Sequence, residues 1–146
     1  MVSALETLGP VLAAFPTAEA PLTPDNTLAI ERLTSAIETV AVPDLASAMI
    51  GPDQSFRIDY RGVAALIDGW RDWLAPYESF RMEIDEVIES DGVLVTCVRQ
   101  FGTPVGGGPE LVAQGAAVWW LRDGRLVRVE FNLDREAALR SAGLGP

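Results

Sequence analysis

The chain has no histidine, no lysine and a single cysteine among its 146 residues. Without histidine the commonest zinc ligand and the commonest general base are missing, which excludes His-based metal sites and Ser-His or Cys-His nucleophilic chemistry. Any catalysis has to run on Asp, Glu, Tyr or Arg. The lone Cys97 cannot close an internal disulfide, so nothing points to an oxidising compartment, and it reads as a small buried hydrophobe. Positive charge is also scarce: 11 basic residues face 21 acidic ones, for a net charge of -10, which disfavours nucleic acid and anionic membrane surfaces as partners and favours solubility. No apolar run approaches the length of a membrane span. Residues 1–22 hold the apolar run Leu8 to Phe15 and an Ala18-Glu19-Ala20 that resembles a cleavage site. The positive leader of a signal peptide is absent and Gly9-Pro10 interrupts the run, so the segment reads as an N-terminal arm or extra helix of a cytoplasmic protein.

The whole chain is 49% apolar and of a size for one domain, placed at residues 23–144. Its organising stretch is Gly115 to Leu144. Arg122-Asp123-Gly124 supplies the turn, and alternating apolar residues flank it, so strand, turn, strand and a short closing helix are expected, with Asp134 as N-cap. Pairing Leu121 with Arg125 puts Gly115, Ala117, Trp119, Leu121, Val127, Val129 and Phe131 on one uncharged, inward face. The other face carries Val118, Trp120 and Leu126 near Arg128 and Glu130. An apolar patch on an outer face usually marks an interface, so a homodimer through Val118, Trp120 and Leu126 is expected.

Upstream, the spacing predicts a helix over about 24–41, a second short helix over Leu45–Ile50 stopped by Gly51-Pro52, a strand over Ser55–Tyr60, and a third helix with Val63, Leu66, Ile67, Trp70, Trp73 and Leu74 on one face. A long strand, Glu78 to Glu89, follows, and its alternation slips at Glu86-Val87-Ile88, which signals a β-bulge. Asp91-Gly92 turns into Val93–Phe101, and the glycine-rich Gly102–Pro109 leads to the next strand without the Lys-Ser/Thr of a phosphate loop. Helices collected on one side of an antiparallel sheet make an α+β domain, a cone whose curved sheet packs its helices on the concave side.

This order resembles the SnoaL-like branch of the nuclear transport factor 2-like superfamily. The residues carrying the likeness are Tyr60-Arg61-Gly62, Val98-Arg99-Gln100, the run Trp119 to Glu130, and Asp134 to Leu139. The resemblance implies a hydrophobic pocket in the cone that takes a small, largely apolar organic molecule, with no cofactor and no metal. It implies either cofactor-free isomerase, cyclase or hydrolase chemistry or ligand binding without turnover. Carried over residue by residue, the isomerase groups fall on Ala36, Ala117 and Ile58. Of the epoxide hydrolase Asp-Arg-Asp arrangement only Arg99 has a counterpart, with Phe101 and Phe131 at the carboxylate positions.

Three residues are the catalytic candidates. Asp59 lies one residue from the isomerase base position; turned inward it is a desolvated proton-transfer group, turned outward it pairs with Arg57. Tyr60 alternates with Phe56 and Ile58 and is either a ligand hydrogen-bond donor or an ordinary half-buried tyrosine. Arg99 shares a face with Val93, Val95, Cys97 and Phe101; on that face it needs a carboxylate or a ligand anion, or else it reaches out to solvent. Trp70, Trp73, Ala117, Trp119, Val129 and Phe131 are the expected ligand contacts, the aromatic members being equally readable as plain core. The acidic run Glu83 to Asp91 reads as a solvated strand, since alternate members point to opposite faces.

Overall fold

The computed structural model describes residues 3–17, 23 and 27–144. Four helices, α1 (Ala4–Ala13), α2 (Thr27–Val40), α3 (Val63–Leu74) and α4 (Arg135–Ser141), surround six strands, β1 (Ala41–Ile50), β2 (Arg57–Arg61), β3 (Tyr77–Ser90), β4 (Val93–Pro104), β5 (Leu111–Arg122) and β6 (Arg125–Asn132). The strands form one sheet in the order β2-β1-β6-β5-β4-β3. All neighbours are antiparallel except β1 and β6.

The helix expected over Leu45–Ile50 is instead the second half of β1. Its Ala-Ser-Ala-Met composition favours a helix locally, but the strand lies between β2 and β6 and Leu45 and Ser47 to Ile50 are all buried. A strand covered on both faces has no alternation to reveal it. The predicted start of α2 lies outside the described residues. From Thr27 onward its Leu33 and Ile37 are buried at helical spacing. Helix α3 begins at Gly62, whose φ of 88° only glycine takes without strain, and it buries Leu66, Ile67 and Trp70 as the sequence pattern requires.

The bulge in β3 falls slightly earlier than expected. Ile84 pairs with Val98 and Glu86 with Cys97, so Asp85 is the extra residue. The final hairpin closes on two residues, Asp123 and Gly124, both at positive φ. Its register differs from the simple alternation by two residues: Trp119 faces Val129 and Ala117 faces Phe131, because the pairing shifts between Trp120 and Leu121. That shift turns Leu126 inward, where it is fully buried in the main core.

Helices α1, α2 and α3 cover the inner face of the sheet, and their Leu8, Val11, Leu33, Ile37, Leu66 and Trp70 meet Leu94, Trp119 and Val129 there. Helix α4 corrects the expectation that all helices lie on that side. It covers the outer face, where Ala138 packs with Val95, Cys97, Ala116 and Val118. Burial among these groups pushes the Cys97 thiol up. The expected dimer patch is therefore not an open surface: Val118 lies under α4, Leu126 points inward, and only Trp120 is part-exposed. Among the described residues no helix is long and apolar enough to cross a membrane.

The first segment is built into the domain. The Ser3 hydroxyl accepts from the Glu6 amide and caps α1. Leu8 and Val11 are wholly buried, and the chain leaves the helix so that Phe15 enters the core. The Met82 amide of edge strand β3 donates to the Pro16 carbonyl at 2.9 Å, which satisfies part of that edge.

Candidate functional site

Between the inner face of the sheet and the helices a cavity remains. Helix α3 contributes Trp70 and Trp73, the chain after α1 contributes Phe15, and the sheet contributes Met49, Met82, Val98, Ala117 and Phe131. Ile50, Phe56, Asn132 and Leu133 are also among its lining residues. The aromatic side chains meet edge to face: Trp70 and Phe131 have centroids 5.4 Å apart at 87°, and Trp119 and Phe131 5.8 Å apart at 82°. Phe15 stands 6.2 Å from Trp70 and 5.9 Å from Trp119. These rings fill most of the cone. The space left for the centre of a water-sized molecule is about 40 Å³, and the cavity opens to solvent.

Polar groups in this wall are few. Gln100 and Asn132 are the polar residues among those that line it, and among the described residues no titratable one does. Asn132 Oδ1 accepts from the Asp134 amide, which fixes its orientation at the start of α4. The Trp70 indole N–H is buried and has no hydrogen-bond partner among the described residues. Trp119, one layer deeper, donates its indole N–H to the Thr96 hydroxyl at 3.1 Å. An orphaned buried donor costs about 1–3 kcal/mol, so Trp70 is the anomaly of the wall.

Gly115, expected on the inward face, is tightly covered. A Cβ there would stand 2.9 Å from the Asn132 carbonyl oxygen and 3.1 Å from Gln100 Nε2. Since backbone cannot swing aside, Gly115→Ala is expected to cost about 1–3 kcal/mol and to disturb both amides of the wall. Urea denaturation together with the side-chain amide signals of Gln100 and Asn132 checks this.

Of the expected ligand contacts, Trp70, Trp73, Ala117 and Phe131 line the cavity, whereas Trp119 and Val129 are fully buried behind it. The expected catalytic set is not brought together. Asp59 faces outward on β2 with a side chain 66% exposed, 3.0 Å from Arg57. Arg99 also lies on the outer face, where it pairs with Asp85 at 3.1 Å and Glu83 at 3.8 Å. The face it shares with Val95 and Cys97 is apolar because α4 covers it, not because it lines the cone, and the carboxylates it needs come from the neighbouring strand β3. Tyr60 does point inward, but it lies along α3 close to Gly69, and its hydroxyl is 4.0 Å from Met49 Sδ rather than in the cavity wall. Burial, with Asp72 adding to it, holds the Tyr60 phenol above its ordinary value.

Sequence reasoning missed Phe15, Met49, Met82, Val98, Gln100 and Asn132. Met82 and Val98 were legible from alternation. Phe15 was not, because nothing in the sequence ties the N-terminal arm to α3.

The outer face holds a second polar constellation. Glu130 is only 3% exposed. Its Oε2 takes Arg128, through Nε at 3.1 Å and through Nη2, and also Arg57 Nη2 at 3.3 Å, while Oε1 accepts from the Ser141 hydroxyl of α4 at 3.0 Å. Burial pushes this carboxyl up, and Arg128, Ser141 and Arg57 together outweigh it, so the carboxylate is held below its ordinary range.

Comparison with known proteins places this geometry. The SnoaL-like domain family matches residues 35–129. No functionally curated protein matches the sequence. Among solved structures, an NTF2-like protein of unknown function from Burkholderia pseudomallei is 20% identical with a TM-score of 0.66, the alignment covering 96% of this chain and 97% of that one. A putative SnoaL-like polyketide cyclase from Jannaschia is 13% identical over 68% of this chain and 70% of that one, with a TM-score of 0.58. TerC, co-crystallised with polyporic acid, is 17% identical over 86% of this chain and 88% of that one, with a TM-score of 0.60. At these identities the likeness concerns the fold, and the family match spans more than half of the sequence: the chain belongs to the SnoaL-like domain family, with an NTF2-like cone.

Proposed function

We propose that the chain binds a small, neutral, largely apolar molecule carrying a hydrogen-bond acceptor in the inner cavity, and that it does so without acid–base chemistry. The observation that carries this reading is the Trp70 indole N–H, buried and unpartnered in an otherwise apolar wall. The N–H exposes no surface in the empty cavity, so a ligand oxygen makes the missing hydrogen bond as the ring turns towards it, with Gln100 as a second contact. Isomerase, cyclase or hydrolase turnover in the cone calls for a proton-transfer group at the wall, and Gln100 and Asn132 do not titrate. That a fold relative was co-crystallised with polyporic acid is consistent with small-molecule capture in this fold.

The test compares cyclohexanone with cyclohexane, two probes of similar size of which only the first accepts a hydrogen bond. Cyclohexanone is expected to shift the Trp70 indole N–H resonance and to bind about tenfold more tightly than cyclohexane, since one neutral hydrogen bond to an otherwise orphaned donor is worth about 1.4 kcal/mol. Trp70→Phe removes that preference while leaving cyclohexane binding in place. Equal affinity for both probes, or no shift at Trp70, rules the reading out. Protein-accelerated deuterium incorporation α to the ketone returns the site to the catalytic class.

A further inference from the structure

On the outer face, β1 presents two alanines, each flanked in register by charged residues of the adjoining strands. Ala46 lies between Arg61 of β2 and Arg128 of β6, and Ala48 lies between Asp59 and Glu130. The small Ala46 makes a low floor and the long side chains make walls. The result is a cleft to which Ser47 and Tyr60 contribute beside Ala46, Arg57, Asp59, Arg61 and Arg128, with about 270 Å³ open to the centre of a water-sized molecule. It lies across the sheet from the Trp70 cavity and shares none of that cavity's lining residues.

The charges of this cleft are not balanced. Glu130 is already taken by Arg128 and Arg57, and Asp59 by Arg57. Arg61 donates Nη1 to the Asp44 carbonyl at 3.3 Å and forms no ion pair with a carboxylate among the described residues. A guanidinium has five N–H donors, so most of those of Arg61 are unspent. Three guanidinium groups thus meet two carboxylates in one concavity of a protein whose net charge is -10. Alternate strands are about 10 Å apart, so the forks of Arg61 and Arg128 can close from opposite walls on a group a few ångströms across. Paired planar forks suit carboxylate and phosphate oxygens. Arg128 stacks 5.3 Å from the Trp120 ring centroid, and because its Nε and Nη2 donate to Glu130, an anion takes its remaining donors or competes with Glu130 for the fork.

From this arrangement we propose that the Arg57-Arg61-Arg128 cleft is a binding site for a small oxyanion, a carboxylate or phosphate group, with Arg61 as its principal ligand. The site is independent of the inner cavity.

The experiment is a titration of the whole chain, labelled at arginine Nε and at the backbone amides, with inorganic phosphate and separately with acetate, at constant ionic strength against sodium chloride. Saturable shifts at Arg61 Nε and the Ala46 amide are expected with at least one of the two anions, and the tighter one identifies the ligand class. Arg61→Gln should weaken that binding at least tenfold, with Arg61→Lys intermediate. The cyclohexanone shift at Trp70, or the unperturbed Trp70 resonance where that probe does not bind, reports that each variant retains its fold. Shifts that do not saturate, that chloride reproduces, or that survive Arg61→Gln undiminished overturn the proposal.

Discussion

Phe15→Ala is expected to destabilise the protein by about 3–5 kcal/mol, the range for removing a buried aromatic ring that its neighbours cannot replace. Phe15 is 5% exposed although it belongs to the terminal segment, and it touches Trp70 of α3 and Trp119 of β5 together. Both partners are themselves locked: Trp119 by Thr96 and Phe131, and Trp70 by Phe80 and Phe131. The void left by the ring therefore stays open, and the inner cavity grows by it. In a domain of this size the loss corresponds to a fall in Tm of about 10 °C. Urea denaturation measures it, and an unchanged slope shows that the native state stays compact. The same variant should bind larger apolar probes than cyclohexanone, because the enlarged space joins a wall already lined by Trp70 and Phe131. A loss below about 1 kcal/mol, with rapid amide exchange across Ala4–Ala13, means that the segment is not docked in solution.

Phe15 also shows where reading the sequence stopped. The apolar residues of the arm, Leu8, Val11 and Phe15, announce a packed face, but only the tertiary path places that face against α3 and β5. The cone, the third helix and the final hairpin were legible because their patterns repeat at a period of two or 3.6 and their turns carry Asp-Gly. β1 was not legible, since a strand buried on both faces loses its alternation and Ala46 to Met49 favour a helix in isolation. Asp59 takes the outward of its two readings, beside Arg57, and the inward reading of Arg99 failed for a physical reason. Alternation divides a strand into two faces without saying which is inner, and α4 makes the outer face of β4 as apolar as the inner one. Arg99 was thus counted among inward residues when the true inward set of β4 is Leu94, Val98 and Gln100. The orphaned Trp70 N–H could not be read in advance, because it is defined by a partner that is missing in space.

Arg128→Ala is expected to cost about 2 kcal/mol at neutral pH, below the range for breaking a fully buried ion pair because Arg128 is 46% exposed and Arg57 and Ser141 remain on Glu130. The cost should depend on pH in a direction set by Glu130. In the native protein this carboxyl titrates below its ordinary value of 4.5, so it contributes stability that is complete above that pH and is lost as the pH falls through its folded value. Removing Arg128 takes away the largest opposing influence on the desolvation of Glu130, and the folded value then rises. In the variant, acid neutralises a poorly compensated buried charge instead of breaking a good pair. The difference in stability between the two proteins should therefore shrink as the pH falls from 7 towards 4, even though both become less stable as their other carboxylates protonate. Urea denaturation at each pH gives that difference, and the carboxyl carbon resonance of Glu130 follows its titration directly. A difference independent of pH would show that Arg128 acts mainly by stacking on Trp120, a contribution that acid does not change. The same measurement bears on the arginine cleft, because an oxyanion held by Arg61 and Arg128 competes with Glu130 for the Arg128 fork and should raise the Glu130 titration in the native protein as well.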